Sequence, residues 1–358
     1  MDPTVPKYPS FRLYHSSPVA GSFSTLAAGY VKAFRELGVV HECLNVTTPP
    51  DEDGFDARGW NHDVGLYLGQ PSHLHLMSLH ASHMERLLML APNGHGVPQA
   101  VVEACRKYNV TPISPSRWGA RVVAEAFEAD TVSVAPRGVG VVDLMPMEKS
   151  HLIGRSPSRG EKFSMLHVTS TASDRKGTIS LLDALKEFSG EIGPFRLTIK
   201  CDRMIEHAVV ALVADRGFEA DEVVVDATEV PNNGAWASYM KSHHAVIQPS
   251  RSEGFGLVPL EAASIGLPVI MTNCTGHLDF ADDIGGPFVD WDDEEETIAG
   301  EDFPVHPVMK AGIAGCILSM IWDYPSVAEK YLDNRAKIVD KWSWTAVVKR
   351  WLDERYGS

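Results

Sequence analysis

The segment SEGFGLVPLE, residues 252–261, contains two carboxylates eight positions apart, with two glycines and a proline between them. The preceding residues AVIQPS predict a strand that ends at Ser250, and Pro259 suits the first turn of a helix, where its missing N–H is not needed. The segment therefore joins the carboxyl end of a strand to the start of a helix, where open α/β sheets bind ligands. Free backbone N–H groups and the positive end of the helix dipole predict a phosphate or diphosphate ligand there.

The two carboxylates of this segment, Glu253 and Glu261, would repel such an anion and suit hydroxyl groups better. Gly254 and Gly256 have no side chains to block the close approach of a ligand. A molecule that is anionic in the middle and hydroxyl-rich at both ends, such as a nucleotide sugar, fits this pattern. The alternative is that a glutamate near a helix start only interacts favourably with the helix dipole.

A second candidate loop, TSTASDRKG, supplies Arg175, Lys176 and Gly177 just before another predicted helix. Arginine binds phosphate through its planar fork and lysine adds a point charge. Both would stabilise the charge that develops on a departing nucleoside diphosphate. The alternative is that Arg175 and Lys176 are only a solvated surface pair. A shared site is favoured, because this loop and the SEGFG loop each follow a strand and precede a helix in the same domain.

Strands and helices alternate along the whole chain and predict two doubly wound α/β domains. We expect an N-terminal doubly wound domain at 1–150 and a C-terminal one of the same type from residue 151. The polar stretch 147–162 is predicted to be the linker between them.

Composition narrows the class of protein. The net charge of -15 disfavours a surface that tracks nucleic-acid phosphates. Five scattered cysteines without a CxxC pair argue against disulfides or a zinc ribbon, and a cytoplasmic location is expected. No apolar run is long enough for a transmembrane segment, and no secretory signal is found.

The stretch PSRSEGFGLVPLEAASIGLPVIMTNCTGHLDF, residues 249–280, resembles the signature of retaining GT-B glycosyltransferases of family 4, with the E-x7-E spacing at Glu253 and Glu261. SMLHVTSTASDRKGTISLLDAL is similar to the first strand and KG loop of that family's C-terminal domain. The resemblance implies two Rossmann-like domains that face each other across a cleft, an acceptor domain at 1–150 and a nucleotide-sugar donor domain at 151–335. It also implies that a C-terminal helix at about 336–358 crosses back to the acceptor domain. It is strong over 163–281 and loose over 1–150.

The resemblance also implies roles for individual residues. Glu261 matches the ribose-binding glutamate, and Glu253 matches the residue that faces the sugar and phosphates together with the Gly254, Phe255, Gly256 and Leu257 backbone. Lys176 matches the diphosphate lysine, whereas the family's arginine position holds Ser170 or Thr171, so Arg175 is its substitute. The weaker matches are Gly21 in the N-terminal glycine loop, His95 as the histidine that approaches the sugar, His15 as its second candidate, and Asp279 in place of the usual glutamate after the TG turn.

Family members retain the anomeric configuration, need no metal and no cofactor, and use front-face attack by the acceptor hydroxyl. The expected nucleotide-sugar donor is UDP-glucose or a similar UDP-hexose, with GDP-mannose next. The acceptor, whether a small molecule, a glycan, a protein or a modified nucleic acid, is not indicated. Two alternatives stay open: a non-catalytic nucleotide-sugar binding protein, and a nucleotide-sugar epimerase of the same fold.

Two further patterns could bind a metal ion. His73, His75, His80 and His83 lie close in sequence, but no cysteine or aspartate completes a ligand set, and a loop and helix along the acceptor side is favoured. The chain carries ten acidic residues between Asp282 and Asp302, and the core of this run, DWDDEEE at 290–296, is expected to be a solvated loop, because it lacks the spacing of a calcium loop. Trp342, Trp344 and Trp351 are predicted to pack onto the N-terminal domain.

Overall fold

The structure, a computed structural model, describes residues 7–15, 22–45, 62–68, 85–92, 94–140 and 161–357. The chain divides into two compact units: residues 1–92, 96–138 and 341–358 form unit 1, and residues 93–95 and 139–340 form unit 2. The predicted boundary near residue 150 falls outside the described residues and stays a prediction.

Unit 1 contains one six-stranded parallel sheet in the order β2-β1-β3-β4-β5-β6. Its central strands are continuous apolar runs, such as VGLYL at 64–68, in which all five residues are buried. Parallel strands covered by helices on both faces have this composition. The strands are β1 Phe11–His15, β2 His41–Asn45, β3 Val64–Leu68, β4 Glu85–Met89, β5 Thr111–Ser114 and β6 Ser133–Val134; the helices are α1 Ser22–Glu36, α2 Gln99–Tyr108 and α3 Arg117–Phe127.

Unit 1 also includes the C-terminal helix of the chain, Trp344–Tyr356, which packs on α1. The Trp344 ring lies 5.4 Å from the Tyr30 ring, and a Cβ on Gly29 would come within 2.1 Å of Trp344. The predicted return of this helix to the N-terminal domain is confirmed. The helix expected at about 336–358 is instead two helices, because Ser343 ends the first and its side chain caps the second by accepting from the Ala346 N–H.

Unit 2 contains a second six-stranded parallel sheet, in the order β12-β11-β10-β7-β8-β9. Its β10 and β11 strands are buried along their whole length, as the apolar segments AVIQ and VIMT predict. The strands are β7 Phe163–Thr169, β8 Phe195–Cys201, β9 Val223–Asp226, β10 Ala245–Gln248, β11 Val269–Thr272 and β12 Phe288–Val289; the helices are α4 Thr178–Glu187, α5 Ser189–Ile192, α6 Glu206–Ala214, α7 Asn233–Lys241, α8 Leu257–Ser264, α9 Ala281–Ile284, α10 Lys310–Trp322 and α11 Tyr324–Trp342.

The strand order of unit 2 reverses between β7 and β10, its first and fourth strands. This order is that of the doubly wound dinucleotide-binding fold, and its ligands bind outside the carboxyl ends of the strands at the reversal point. The loops that follow β7 and β10 are the two that the sequence singles out.

Within the part of the chain that the structure describes, no single helix is long and apolar enough to cross a membrane. The consecutive helices α10 and α11 reach that length and apolarity only together, and a bend of 91° separates them.

Candidate functional site

The loops 170–177 and 249–256 meet at the carboxyl ends of β7 and β10. The backbone N–H of Arg251 donates to the backbone carbonyl of Arg175 at 2.8 Å. Gly177 has a positive φ of 72°, and a Cβ there would lie 2.0 Å from the Pro249 carbonyl oxygen. Only glycine allows this close approach, so Gly177 fixes the two loops side by side.

Glu253 is the centre of the charged groups in this region. It is buried, and its Oε1 forms an ion pair with Lys176 and accepts a hydrogen bond from Ser250 Oγ at 3.0 Å. Its Oε2 lies 3.8 Å from Arg175 Nη1. The structure thus brings three predicted site residues together: Arg175, Lys176 and Glu253.

The charge state of Glu253 follows from these neighbours. Burial alone would raise the pKa of this carboxyl, but the charges of Lys176 and Arg175 outweigh burial and lower the pKa to about 2. Glu253 is therefore a carboxylate at neutral pH. It can accept hydrogen bonds from hydroxyl groups, but it cannot serve as a proton-donating acid.

Gly256 is the N-cap residue of α8, has a positive φ of 80° and provides no side-chain cap. A Cβ at Gly256 would lie 2.2 Å from His277 Nε2, so the histidine ring occupies the space that any other side chain would need. The Phe255 side chain is buried against Phe280, with ring centroids 5.3 Å apart. The segment from Gly254 to Leu257 therefore offers its backbone, rather than large side chains, to a ligand.

Glu261 lies on α8 in surroundings different from those of Glu253. Its Oε2 accepts a hydrogen bond from Trp236 Nε1 at 2.9 Å, and burial raises the pKa of its carboxyl. The Trp236 ring is stacked on Tyr239, with centroids 5.9 Å apart. The two carboxylates of the opening segment thus differ in partners and in the direction of their pKa shifts, which agrees with separate roles.

Arg251, which the sequence did not mark as a site residue, is buried beside this cluster. Its guanidinium donates to Asp174 Oδ2 at 3.0 Å and to the His306 carbonyl at 3.0 Å, and it forms an ion pair with Glu296. Its position inside PSRSEGFG could have indicated a site residue. Its partners lie far away in sequence, so its burial could not be foreseen.

Residues 290–308, here called the acidic ribbon, are paired antiparallel through Trp291 with Val308 and Glu296 with Val305. The solvated loop expected for residues 290–296 agrees with their exposure, since all of them except the partly buried Trp291 are exposed. The acidic ribbon also makes contacts that the sequence did not indicate, because Glu296 pairs with Arg251 and Glu301 lies 3.4 Å from Arg175 Nε. Its acidic side chains neutralise buried arginines of the two loops.

His95 lies in unit 2 against the acidic ribbon, 2.8 Å from Glu295 and 3.2 Å from His306. None of these contacts is to Glu253, and the role of His95 at the sugar stays a prediction. His15 ends β1 in unit 1, and burial lowers its pKa. Gly21 and the cluster His73, His75, His80 and His83 lie outside the described residues.

His277 is a second residue that sequence reasoning missed. Its Nδ1 donates to the Thr272 carbonyl at 2.9 Å, while its buried Nε2 has no hydrogen-bond partner among the residues that the structure describes. Burial lowers its pKa, so the ring is neutral and Nε2 is an acceptor. It follows Gly276 in the TGH turn, which gives no indication of this burial.

Residues 162–300 match the protein family described as Glycosyl transferases group 1. This range includes both loops of the reversal point and all of the cluster around Glu253. The match agrees with the predicted enzyme class, glycosyltransferase, over the part of the chain that holds the candidate site.

A curated relative is the O-antigen biosynthesis glycosyltransferase WclY of Escherichia coli, 35% identical over 72 residues. The match covers 20% of this chain and 19% of that protein, about a fifth of the relative's length.

Two solved structures are similar over nearly the whole chain. Alr3699/HepE of Anabaena, in complex with UDP and glucose, has a TM-score of 0.69 at 14% identity, with 98% of this chain and 100% of that chain covered. Sucrose-phosphate synthase of Thermosynechococcus elongatus has a TM-score of 0.67 at 16% identity, with 96% and 97% covered. These similarities confirm the predicted GT-B fold.

Proposed function

We propose that this chain is a retaining glycosyltransferase of family 4 type, because its residues 162–300 match the glycosyl transferases group 1 family and the chain has a GT-B fold. It moves glucose or a related hexose from a nucleoside diphosphate sugar to an acceptor hydroxyl. The observation that carries the proposal is the contact of Lys176 and Arg175 with Glu253 where the sheet of unit 2 reverses its strand order.

The diphosphate binds to the start of α8 and to Lys176. The backbone of Gly254, Phe255, Gly256 and Leu257 approaches the phosphates, since Phe255 turns its side chain into the core. Lysine has three N–H donors, so Lys176 can hold Glu253 and still donate to a phosphate oxygen. Arg175, which is buried next to Glu253, adds positive charge to the site.

The two glutamates bind opposite ends of the nucleotide sugar. Glu261 accepts hydrogen bonds from the ribose hydroxyls, and Trp236 orients its carboxylate. Glu253, ionised because of its two cationic neighbours, accepts from hydroxyls of the transferred sugar. His95 and Gly21 are the further residues proposed to reach the sugar and phosphates.

Transfer takes place on one face of the sugar. The bond between the anomeric carbon and the diphosphate oxygen breaks, and the acceptor oxygen bonds to the same face. The acceptor proton passes to the departing phosphate oxygen. Lys176 and the N–H groups of α8 stabilise the negative charge on the leaving group, which is the step where electrostatic catalysis acts. No protein nucleophile and no metal ion take part.

The first nucleotide to test is UDP, because Alr3699/HepE binds UDP in its crystal structure. GDP is the second, as the resemblance to family 4 implies. The proposed location is the cytoplasm, where nucleotide sugars and free thiols coexist.

The test is release of nucleoside diphosphate from UDP-, GDP-, ADP- and dTDP-sugars, without added divalent metal and with a panel of acceptors. We expect slow hydrolysis of at least one donor, faster release with an acceptor, and retained anomeric configuration by NMR. Binding without release from any donor favours a non-catalytic binding protein. Release of an epimerised nucleotide sugar without an acceptor favours an epimerase, and either result contradicts the proposal.

A further inference from the structure

Two histidines face each other on the acidic ribbon side of unit 2. His95 Nε2 lies 3.2 Å from His306 Nε2, and the two rings are nearly perpendicular, at 85°. His306 is buried, His95 is partly buried, and Glu295 belongs to the same cluster. The approach of His95 to the sugar proposed above does not explain why its ring faces that of His306.

The hydrogen bonds of the other ring nitrogens determine what the facing nitrogens present. His306 Nδ1 lies 3.0 Å from the Asp292 carbonyl, and His95 Nδ1 lies 2.8 Å from Glu295 Oε1. Both oxygens only accept, so each Nδ1 carries a proton. In neutral rings, each Nε2 then presents a lone pair to the other, and two lone pairs at this distance require a cation between them.

The geometry suits a metal ion in that position. Zinc–nitrogen bonds of about 2.0–2.1 Å at a tetrahedral angle place two ligand nitrogens about 3.3–3.4 Å apart, close to the observed separation. Metal-bound histidines characteristically donate their second ring N–H to a carboxylate or a backbone carbonyl. Glu295 and the Asp292 carbonyl supply these two acceptors.

The backbone holds both histidines in place. Glu296 and Val305 exchange hydrogen bonds at 2.9 and 3.0 Å, which sets Glu295 and His306 on opposing arms of the acidic ribbon. The backbone N–H of His95 donates to the backbone carbonyl of Pro304 at 3.4 Å. A Cβ on Gly94 would come within 2.8 Å of Phe303, so glycine allows the His95 segment to lie against the acidic ribbon.

We infer that His95 and His306 bind a divalent transition metal, best matched by zinc, through their Nε2 atoms. Glu295 orients His95 and adds negative charge, and water fills the remaining positions. Because the metal and Glu295 then occupy both ring nitrogens of His95, this site replaces the contact of His95 with the sugar proposed above. The roles proposed for Lys176, Glu253 and Glu261 in sugar transfer do not depend on the metal. The metal fastens the segment at His95 to the acidic ribbon, which in turn contacts Arg251 through Glu296 and the His306 carbonyl.

The test is titration of the metal-free 358-residue chain with ZnCl2 by isothermal titration calorimetry, with bound zinc measured by mass spectrometry after dialysis. We expect one zinc per chain in the wild type and in the control His207→Ala, which removes an exposed histidine of the same unit. His306→Ala and His95→Ala should each weaken binding at least about 100-fold. Glu295→Gln should weaken it about 10–100-fold, as expected for an outer-shell partner, while Glu294→Gln should not.

Circular dichroism of each variant without metal checks that it is folded. If a histidine variant does not fold, Glu295→Gln still tests the site. A wild type that binds no zinc would overturn the inference and leave a proton between the rings. Equal zinc binding by the wild type and the folded histidine variants would place the metal elsewhere and also overturn it. Neither result depends on glycosyl transfer, so the proposed function is tested separately.

Discussion

At the scale of single residues, the site is organised around a buried carboxylate with cationic partners. Glu253 alone would be costly to bury, and Lys176 and Arg175 make its ionised form the stable one. The same cations are those proposed to receive the diphosphate. The ion pairs therefore hold the lysine in place for the role proposed for it at the diphosphate.

The low pKa of Glu253 predicts a pH-dependent contribution to stability. The folded pKa, about 2, lies below the ordinary value of 4.5, so its contribution is complete above pH 4.5 and is lost as pH falls towards 2. The difference in unfolding free energy between wild type and Glu253→Gln should shrink over that range. Urea denaturation of both chains between pH 7 and 2.5 measures it, and a difference that stays constant contradicts the assignment.

Lys176 should matter to turnover far more than an ordinary surface lysine. Lys176→Ala removes a cation that stabilises the leaving group, and we expect release of nucleoside diphosphate to slow about 100–1000-fold. The control is Lys310→Ala, because Lys310 pairs with Glu187 on the exposed surface of the same unit. Equal rates for the two variants would remove Lys176 from the proposed mechanism.

At the scale of elements, the start of α8 depends on a glycine that no other residue can replace. Gly256→Ala should cost about 1–2 kcal/mol for the left-handed backbone and about 1–3 kcal/mol for overpacking against His277. Gly190→Ala in α5, where a Cβ meets nothing within 4 Å, is the control and should be neutral or slightly stabilising. Thermal unfolding of both variants checks this.

The cause of that cost can be separated by a second substitution. In Gly256→Ala/His277→Ala the ring is gone, so the overpacking part of the loss should disappear while the backbone part remains. If the stability loss of the double variant equals the sum of the losses of the two single variants, His277 does not limit which residue fits at position 256.

The loops of the site could be predicted from sequence because their signals are local. A strand that ends at Ser250, glycines 254 and 256, and Pro259 define the turn into α8 within a dozen residues. The ion pairs that surround Arg175 and Arg251 could not be predicted, since Glu301 and Glu296 lie on the acidic ribbon. Nothing in the spacing of an acidic run indicates which buried cation it will contact.

At the scale of the whole molecule, the alternation of strands and helices was sufficient to predict two parallel-sheet units. The break at Ser343 was missed, because the apolar pattern continues through it and only the capping geometry reveals it. The predicted docking of the tryptophans is confirmed for Trp344 and Trp351, which lie against Tyr30 and Phe11.

The packing of the C-terminal helix predicts that replacing Trp351 lowers the stability much more than replacing Trp322. Trp351→Ala should cost unit 1 about 3–5 kcal/mol, since the side chain is fully buried between α1 and the sheet. Trp322→Ala, at a site that is 80% exposed in unit 2, should change stability by about 0.5 kcal/mol or less. Urea denaturation followed by circular dichroism distinguishes them, and equal losses would contradict the packing described for the C-terminal helix.

The central claim, a nucleotide-sugar site at the strand reversal of unit 2, is tested most directly by calorimetric titration with UDP and, in parallel, GDP. We expect the wild type and Trp322→Ala to bind one nucleotide equally well, and Lys176→Ala and Glu261→Ala to bind it at least about 10-fold more weakly, as loss of a charge-assisted hydrogen bond implies. The same affinity for all four chains, or no binding of either nucleotide, would contradict the account.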